Sequence, residues 1–197
     1  MRARLHAKPP VALLTKGWCQ TVVVRYLTIV RHAKASPGEH GTSDYERRLS
    51  GRGKRQCEEL RRWASDTSSL GAFGPTTALV SSSARTRETF RRAFDGTDFV
   101  SAVSFSDVIY NGRREVTAED LLIDLAAIDP LTTSLLVVAH NPTVHELVVI
   151  LAEVVPDVLE HRGYPLGGAF VLQLHDGEQI GLARYPVVAQ FVPDGIA

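Results

Sequence analysis

The chain is predicted to fold as a three-layer α/β/α sandwich around a mainly parallel sheet. Two observations carry that prediction. From Val22 onward, short β-branched runs alternate with segments of helical period, the pattern that places helices on both faces of a sheet. Three of the apolar runs also end in chemically distinctive residues: Leu27–Val30 in Arg31-His32, Leu79–Ser82 in Ala84-Arg85, and Leu135–Ala139 in His140-Asn141. Ligands of open α/β sheets bind outside the carboxyl ends of the strands, so these three ends are expected to converge on one anion.

The elements follow in order. Val22–Val30 reads as a buried strand, and Pro37–Asp44 as a loop rich in Gly, Ser and Thr. Ser50 can cap a helix running to about Ala64, with Leu60 and Trp63 facing the core. Thr76–Val80 is a strand, Ala84–Phe94 a helix and Val100–Phe105 a further strand. The spacing of Leu121, Leu122, Leu125 and Ile128 predicts a helix over 117–128, ended by Asp129-Pro130. After the Leu135–Ala139 strand, Asn141 is expected to cap a helix whose first residue is Pro142. Ala169–Leu174 and Ile180–Tyr185 read as closing strands joined by a turn at Asp176-Gly177.

One domain, residues 22–197, is expected, because 197 residues with 44% hydrophobic content suit a single core. Residues 1–21 are basic, hold neither acidic residues nor serine, and have a short apolar centre at Val11–Leu14. They read as a disordered extension or as a start assigned too far upstream, not as a signal peptide. Lys+Arg and Asp+Glu both number 22, and this balance argues against nucleic acid as a partner. No run approaches the ~18 apolar residues of a membrane span, and two cysteines make no disulfide framework. A cytoplasmic protein is expected.

His32 is the leading catalytic candidate. An imidazole attacks phosphorus when one ring nitrogen is unprotonated and the other is held by a hydrogen bond. Arg31 beside it supplies a planar, permanently charged fork that matches phosphate oxygens. Arg85 lies where a strand hands over to a helix N-terminus, a favourable place for an anion, whereas Arg87 reads as a surface partner of Glu88. His140 is placed to stabilise transition-state charge. His140 and His145 are five residues apart, not the i, i+4 of a helical zinc pair, so no metal is expected. His145, His161 and His175 read as structural, and Gly167-Gly168 as either a tight turn or a close backbone approach.

Taken together, Arg31-His32-Ala33-Lys34-Ala35, Ser82-Ser83-Ala84-Arg85 with Thr89, and His140-Asn141-Pro142 resemble the motifs of the histidine phosphatase superfamily, the phosphoglycerate mutase-like group. The segment Asp44-Tyr45-Glu46-Arg47-Arg48-Leu49-Ser50-Gly51-Arg52-Gly53 is similar to the D-x-x-R-x-L-[ST]-x-x-G stretch of its SixA-like phosphohistidine phosphatase branch. The resemblance spans Tyr26 to Leu174. It implies a phosphoglycerate mutase-like fold and a hydrolase without metal or organic cofactor, with His32 as nucleophile and Arg31, Arg85 and His140 as the rest of the phosphate pocket. The partner it implies is a phosphorylated protein bearing phosphohistidine, or alternatively a small phosphate ester or anhydride; a binding module without turnover is the rival of another class. Asp44 and Arg47 are expected near the pocket or in a structural ion pair. Larger members use a carboxylic acid to protonate the leaving oxygen. Here only Asp107 and Glu115 stand in order for that role, outside any acid motif.

Overall fold

The computed structural model describes residues 25–74, 76–110, 112, 115–126, 132, 134–175 and 180–194. The expected extension over residues 1–21 and the turn at Asp176-Gly177 lie outside the described residues.

Among the described residues, six strands form one sheet: β1 (Arg25–Arg31), β2 (Thr76–Ser81), β3 (Val100–Ser106), β4 (Ser134–Ala139), β5 (Ala169–Leu174) and β6 (Val187–Phe191). Their spatial order is β3-β2-β4-β1-β5-β6. The β2–β3, β2–β4 and β1–β4 pairs are parallel, whereas β5 is antiparallel to both β1 and β6. Only β5 therefore runs against the others, and the sheet is mainly parallel as the alternating pattern requires.

Five helices cover the sheet: α1 (Gly51–Ser65), α2 (Ala84–Ala93), α3 (Ala118–Ala126), α4 (Thr143–Leu151) and α5 (Asp157–Arg162). Side chains on a strand alternate between faces. Leu135 and Val137 of β4 accordingly join Leu27 and Ile29 of β1 in a core roofed by Leu121, Leu125, Leu147 and Leu151 from α3 and α4. Leu136 and Val138 face the opposite way, onto Cys57, Leu60, Phe90 and Phe94 from α1 and α2. All six β4 residues are buried, which explains an unbroken apolar run where an exposed sheet would alternate. Two helical layers thus enclose the sheet. Among the described residues, no helix is long and apolar enough to cross a membrane.

Most boundaries fall where the residues place them. Ser50 caps α1 by accepting from the Gly53 amide at 3.1 Å, and Trp63 stacks on Phe191 with ring centroids 5.4 Å apart. Three features differ. Asn141 does not cap α4: its Oδ1 is buried without a hydrogen-bond partner, and Pro142, itself in helical geometry, occupies the cap position. The last strand is Val187–Phe191, not Ile180–Tyr185. Gly181 at φ +96° breaks extended geometry there, Ile180 turns into the α3/α4 core, and Tyr185 makes only an isolated bridge to Ala152. Helix α5, one and a half turns long, has no counterpart in the sequence pattern.

Candidate active site

Because β2, β4 and β1 are neighbours and parallel, their carboxyl ends lie side by side. That brings Arg85, His140 and the Arg31-His32 pair together. The Arg85 Nε–H donates to His32 Nε2 at 3.2 Å, and the His32 and His140 ring centroids are 5.1 Å apart. The Arg31 Nη1 donates to the Tyr164 carbonyl at 2.5 Å, which anchors that guanidinium by one arm.

The loop carrying His32 is tied along its backbone. His32 N donates to the Ala139 carbonyl at 3.1 Å, Ala33 N to Thr89 Oγ1 at 3.1 Å, and Lys34 N to Gln56 Oε1 at 2.9 Å. Ser50 reaches the Lys34 carbonyl with both its amide and its hydroxyl, at 2.9 and 3.0 Å. Gly53 explains why α1 can come so close: a Cβ there would lie 2.1 Å from the Lys34 carbonyl oxygen. On the other side, the Gly167 amide faces both the Arg31 and His32 carbonyls at 3.2 Å, and Gly167 adopts φ +74°. Gly167-Gly168 is therefore both a tight turn and a close backbone approach.

The hydrogen bonds set the imidazole states. The His32 Nδ1–H donates to the Ala33 carbonyl at 2.8 Å, a tautomer that leaves Nε2 with its lone pair. Burial pulls the His32 pKa down to about 3, with Arg85 and Arg31 adding to the effect and the Ala33 carbonyl partly opposing it. Burial likewise brings His140 to about 2, helped by His32 and Arg85. Both rings are therefore neutral at pH 7. His140 Nε2 meets the Ser81 hydroxyl at 2.8 Å, while its Nδ1 is buried without a hydrogen-bond partner among the described residues. Arg31 Nε is in the same condition. When the Ser81 hydroxyl donates to Nε2, His140 carries its proton on Nδ1, and that donor and Arg31 Nε are then both buried and unpaired among the described residues. Buried donors ordinarily find acceptors, and an oxyanion would supply them.

Asp44 and Arg47 lie at the site. The Arg85 Nη2 pairs with Asp44 Oδ2 and Arg47 Nη1 with Asp44 Oδ1, both at 2.9 Å, and the Tyr110 hydroxyl donates to Oδ2 at 3.1 Å. Burial opposes the Asp44 charge, but Arg85 and these hydrogen bonds outweigh it and hold the carboxyl below its usual value. Asp107 sits at the rim, where its Oδ1 accepts from the Ser82 and Tyr45 hydroxyls. Glu115 is exposed on the segment leading into α3. Glu88 pairs with Arg92 at 2.9 Å rather than with Arg87, whose guanidinium lies over the Phe105 ring. His161 bonds the Asp157 carbonyl in its own helix, and His175 packs on Tyr185. The sequence reading missed Tyr164, Gln56, Ser81 and Tyr110. Ser81 was findable, since it ends a strand at the same edge as His140; the others act across long sequence separations and leave no local signal. Among the described residues, no three His, Cys, Asp or Glu side chains are grouped so as to hold a metal ion.

No protein-family model and no curated protein sequence matches the chain. Solved structures do. The SixA protein of Agrobacterium tumefaciens is 26% identical with a TM-score of 0.66, over 86% of this chain and 98% of its own. SixA of Nakamurella multipartitia is 21% identical at 0.68, over 87% and 98%; the protein histidine phosphatase SixA in complex with tungstate is 20% identical at 0.65, over 85% and 97%. This is the histidine phosphatase fold. The phosphoglycerate mutase-like architecture implied by the Arg31-His32, Arg85 and His140 motifs is the one observed, and the SixA-like structures resemble it over nearly their whole length.

Proposed function

We propose that the protein is a phosphatase that works through a phosphohistidine intermediate on His32, without metal or organic cofactor, and that its substrate is phosphohistidine on a cytoplasmic protein. One observation carries this reading: a neutral His32 whose Nδ1–H is held by the Ala33 carbonyl and whose Nε2 accepts from Arg85, with the His140 ring centroid 5.1 Å away. The phosphoryl group would exchange the Arg85–His32 contact for contacts to its own oxygens. Arg31 and Arg85 then neutralise the charge that builds on those oxygens, and neutral His140 adds a hydrogen-bond donor.

In the first step, Nε2 forms a bond to phosphorus while the bond from phosphorus to the leaving group breaks. The leaving imidazole nitrogen departs with the bonding pair, and because the other nitrogen of that ring was protonated beforehand, the imidazole leaves as a neutral group. In the second step, water attacks phosphorus, the P–N bond to His32 breaks, its electron pair returns to Nε2, and the water's proton leaves with phosphate or solvent. A phosphoramidate leaving group can be protonated before cleavage, so it asks less of a general acid than an alkoxide does. Asp107 enters this reading as an acceptor for the rim hydroxyls, not as that acid. The tungstate-bound relative, holding a tetrahedral oxyanion, is in keeping with this pocket chemistry.

The test is a rapid-quench comparison of a histidine-phosphorylated carrier protein with p-nitrophenyl phosphate and sugar phosphates, in EDTA, with phosphoenzyme trapped at alkaline pH. Preference for the carrier with label on His32 is expected. Preference for a small ester would move the substrate, and absence of both label and turnover would leave only a phosphate-binding module.

A further inference from the structure

A groove of about 800 Å³ opens beside the catalytic edge, between residues 40–48 and the exposed side of α2. Its floor includes Ser82 and Ala84, which flank the start of the helix that carries Arg85, so it is continuous with the strand end that bears the phosphate-binding arginine. His40, Arg48, Arg87 and Arg91 line it, together with Glu46 and Glu88.

The charges on those walls are not equally available. Glu46 is held by its own loop, accepting at Oε2 from the Ser43 hydroxyl at 2.7 Å. Glu88 accepts from Arg92 at one oxygen and from the Leu49 amide at the other. Arg48 and Arg91 are exposed, and neither guanidinium makes a hydrogen bond or ion pair with a described residue. Arg87 also lines the groove, its guanidinium over the Phe105 ring at 5.3 Å from the centroid. In a chain of zero formal net charge, the groove is locally cationic, because three arginines line it against two glutamates and one of these, Glu88, is already neutralised by Arg92.

We propose that this groove docks an acidic segment flanking the phosphorylated residue of a protein substrate. The inference rests on the protein-phosphatase reading above and adds what the substrate must carry next to its phosphoryl group. Spacing sets the position. Arg91 is six residues beyond Arg85, about 9 Å along the helix axis, and an extended peptide covers that distance in about three residues. An Asp or Glu some three residues from the phosphorylated one meets Arg91, and its neighbours meet Arg87 and Arg48.

The test uses two synthetic peptides, each with one chemically phosphorylated histidine. One carries glutamates at the third and fourth positions on both sides, and the other carries alanines there. Three exposed charge contacts predict a kcat/KM about tenfold higher for the acidic peptide, a preference that fades in about 0.5 M salt. Arg91→Glu and Arg48→Glu together should erase the preference and leave p-nitrophenyl phosphate turnover unchanged, since neither side chain touches the catalytic groups. Equal kcat/KM for the two peptides, or a preference that survives charge reversal, overturns the proposal. Binding of the unphosphorylated, fluorescein-labelled acidic peptide is measured in parallel by anisotropy. If neither phosphopeptide is hydrolysed, the substrate reading fails, while loss of this binding in the double variant still sustains the groove; unaltered binding overturns it. Equal displacement of the peptide by a single-stranded oligonucleotide of the same charge would also overturn it, because the groove would then read polyanions in general.

Discussion

Acidifying the protein from pH 7 to pH 5 should leave the His32 imidazole neutral. An imidazole with the ordinary pKa of 6.5 is only about 3% neutral at pH 5, whereas one held at about 3 is about 99% neutral. The two cases differ about thirtyfold in available nucleophile. The assay is a ¹H–¹⁵N correlation titration of histidine-labelled protein, with the His32 signals assigned by their loss in His32→Ala. They should keep the pattern of a neutral ring protonated at Nδ1 throughout pH 5–8. Stability must respond in the opposite sense. Below pH 6.5 the unfolded chain takes up protons at positions 32 and 140 that the folded protein refuses, since folding holds these groups at about 3 and about 2. Stability is thus complete above pH 6.5 and falls by ~1.4 kcal/mol per pH unit per histidine as the pH drops toward 3, roughly 4 kcal/mol for the pair at pH 5. Asp44, held below its usual value, stabilises the fold fully above its unfolded pKa and loses that contribution only at lower pH, so it does not enter this window. Urea unfolding at pH 7 and pH 5 measures the difference. A His32 midpoint between pH 6 and 7, together with pH-independent stability, would refute the half-buried, neutral His32.

Four substitutions test the remaining roles. His32→Ala should abolish turnover and phosphoenzyme formation while retaining phosphate binding by calorimetry; near-normal turnover would sink the mechanism. Arg85→Ala removes charge-assisted donors worth ~1.5–3 kcal/mol each, so kcat/KM should fall by at least ~10-fold and phosphate affinity should fall with it. Asp107→Asn should change turnover of a phosphohistidine peptide by less than about fivefold, because loss of a true general acid costs ~10²–10⁴; a drop of that size would restore the acid role. In Gly53→Ala, the new Cβ meets the Lys34 carbonyl at 2.1 Å and must displace backbone, so thermal unfolding should register a loss of ~1–3 kcal/mol together with most of the activity.

The site was legible where chemistry sits at the end of an apolar run. His32, Arg85 and His140 each follow such a run, and the parallel neighbours β2, β4 and β1 deliver them to one edge. Ser50 was legible for the same local reason, since a cap acts within its own first turn. What escaped depends on distant partners or on backbone geometry. Tyr164 meets Arg31 across 133 residues and Tyr110 meets Asp44 across 66, with nothing in either neighbourhood to announce it. The six residues of α5 are too few to show a period, and Gly181 turned a strand-like composition at Ile180–Tyr185 into a bend. Asn141 has the composition of a cap, but the first helical amides find the His140 and Pro142 carbonyls instead.

The backbone lacing of residues 33–36 separates chemistry from recognition in this chain. Thr89, Gln56, Ser50 and the Arg48 carbonyl hold that segment through its amides and carbonyls, so its geometry is written in α1 and α2 rather than in its own side chains. Exposed positions such as Lys34 and His40 can therefore change without moving His32, whereas Asp44 in the neighbouring loop is tied to Arg85. Under the proposed function, a scaffold built this way can acquire new partners by surface drift at its rim while the geometry at His32 stays fixed, and that geometry is expected to fail through substitutions such as Gly53→Ala, at a position packed on the Lys34 backbone.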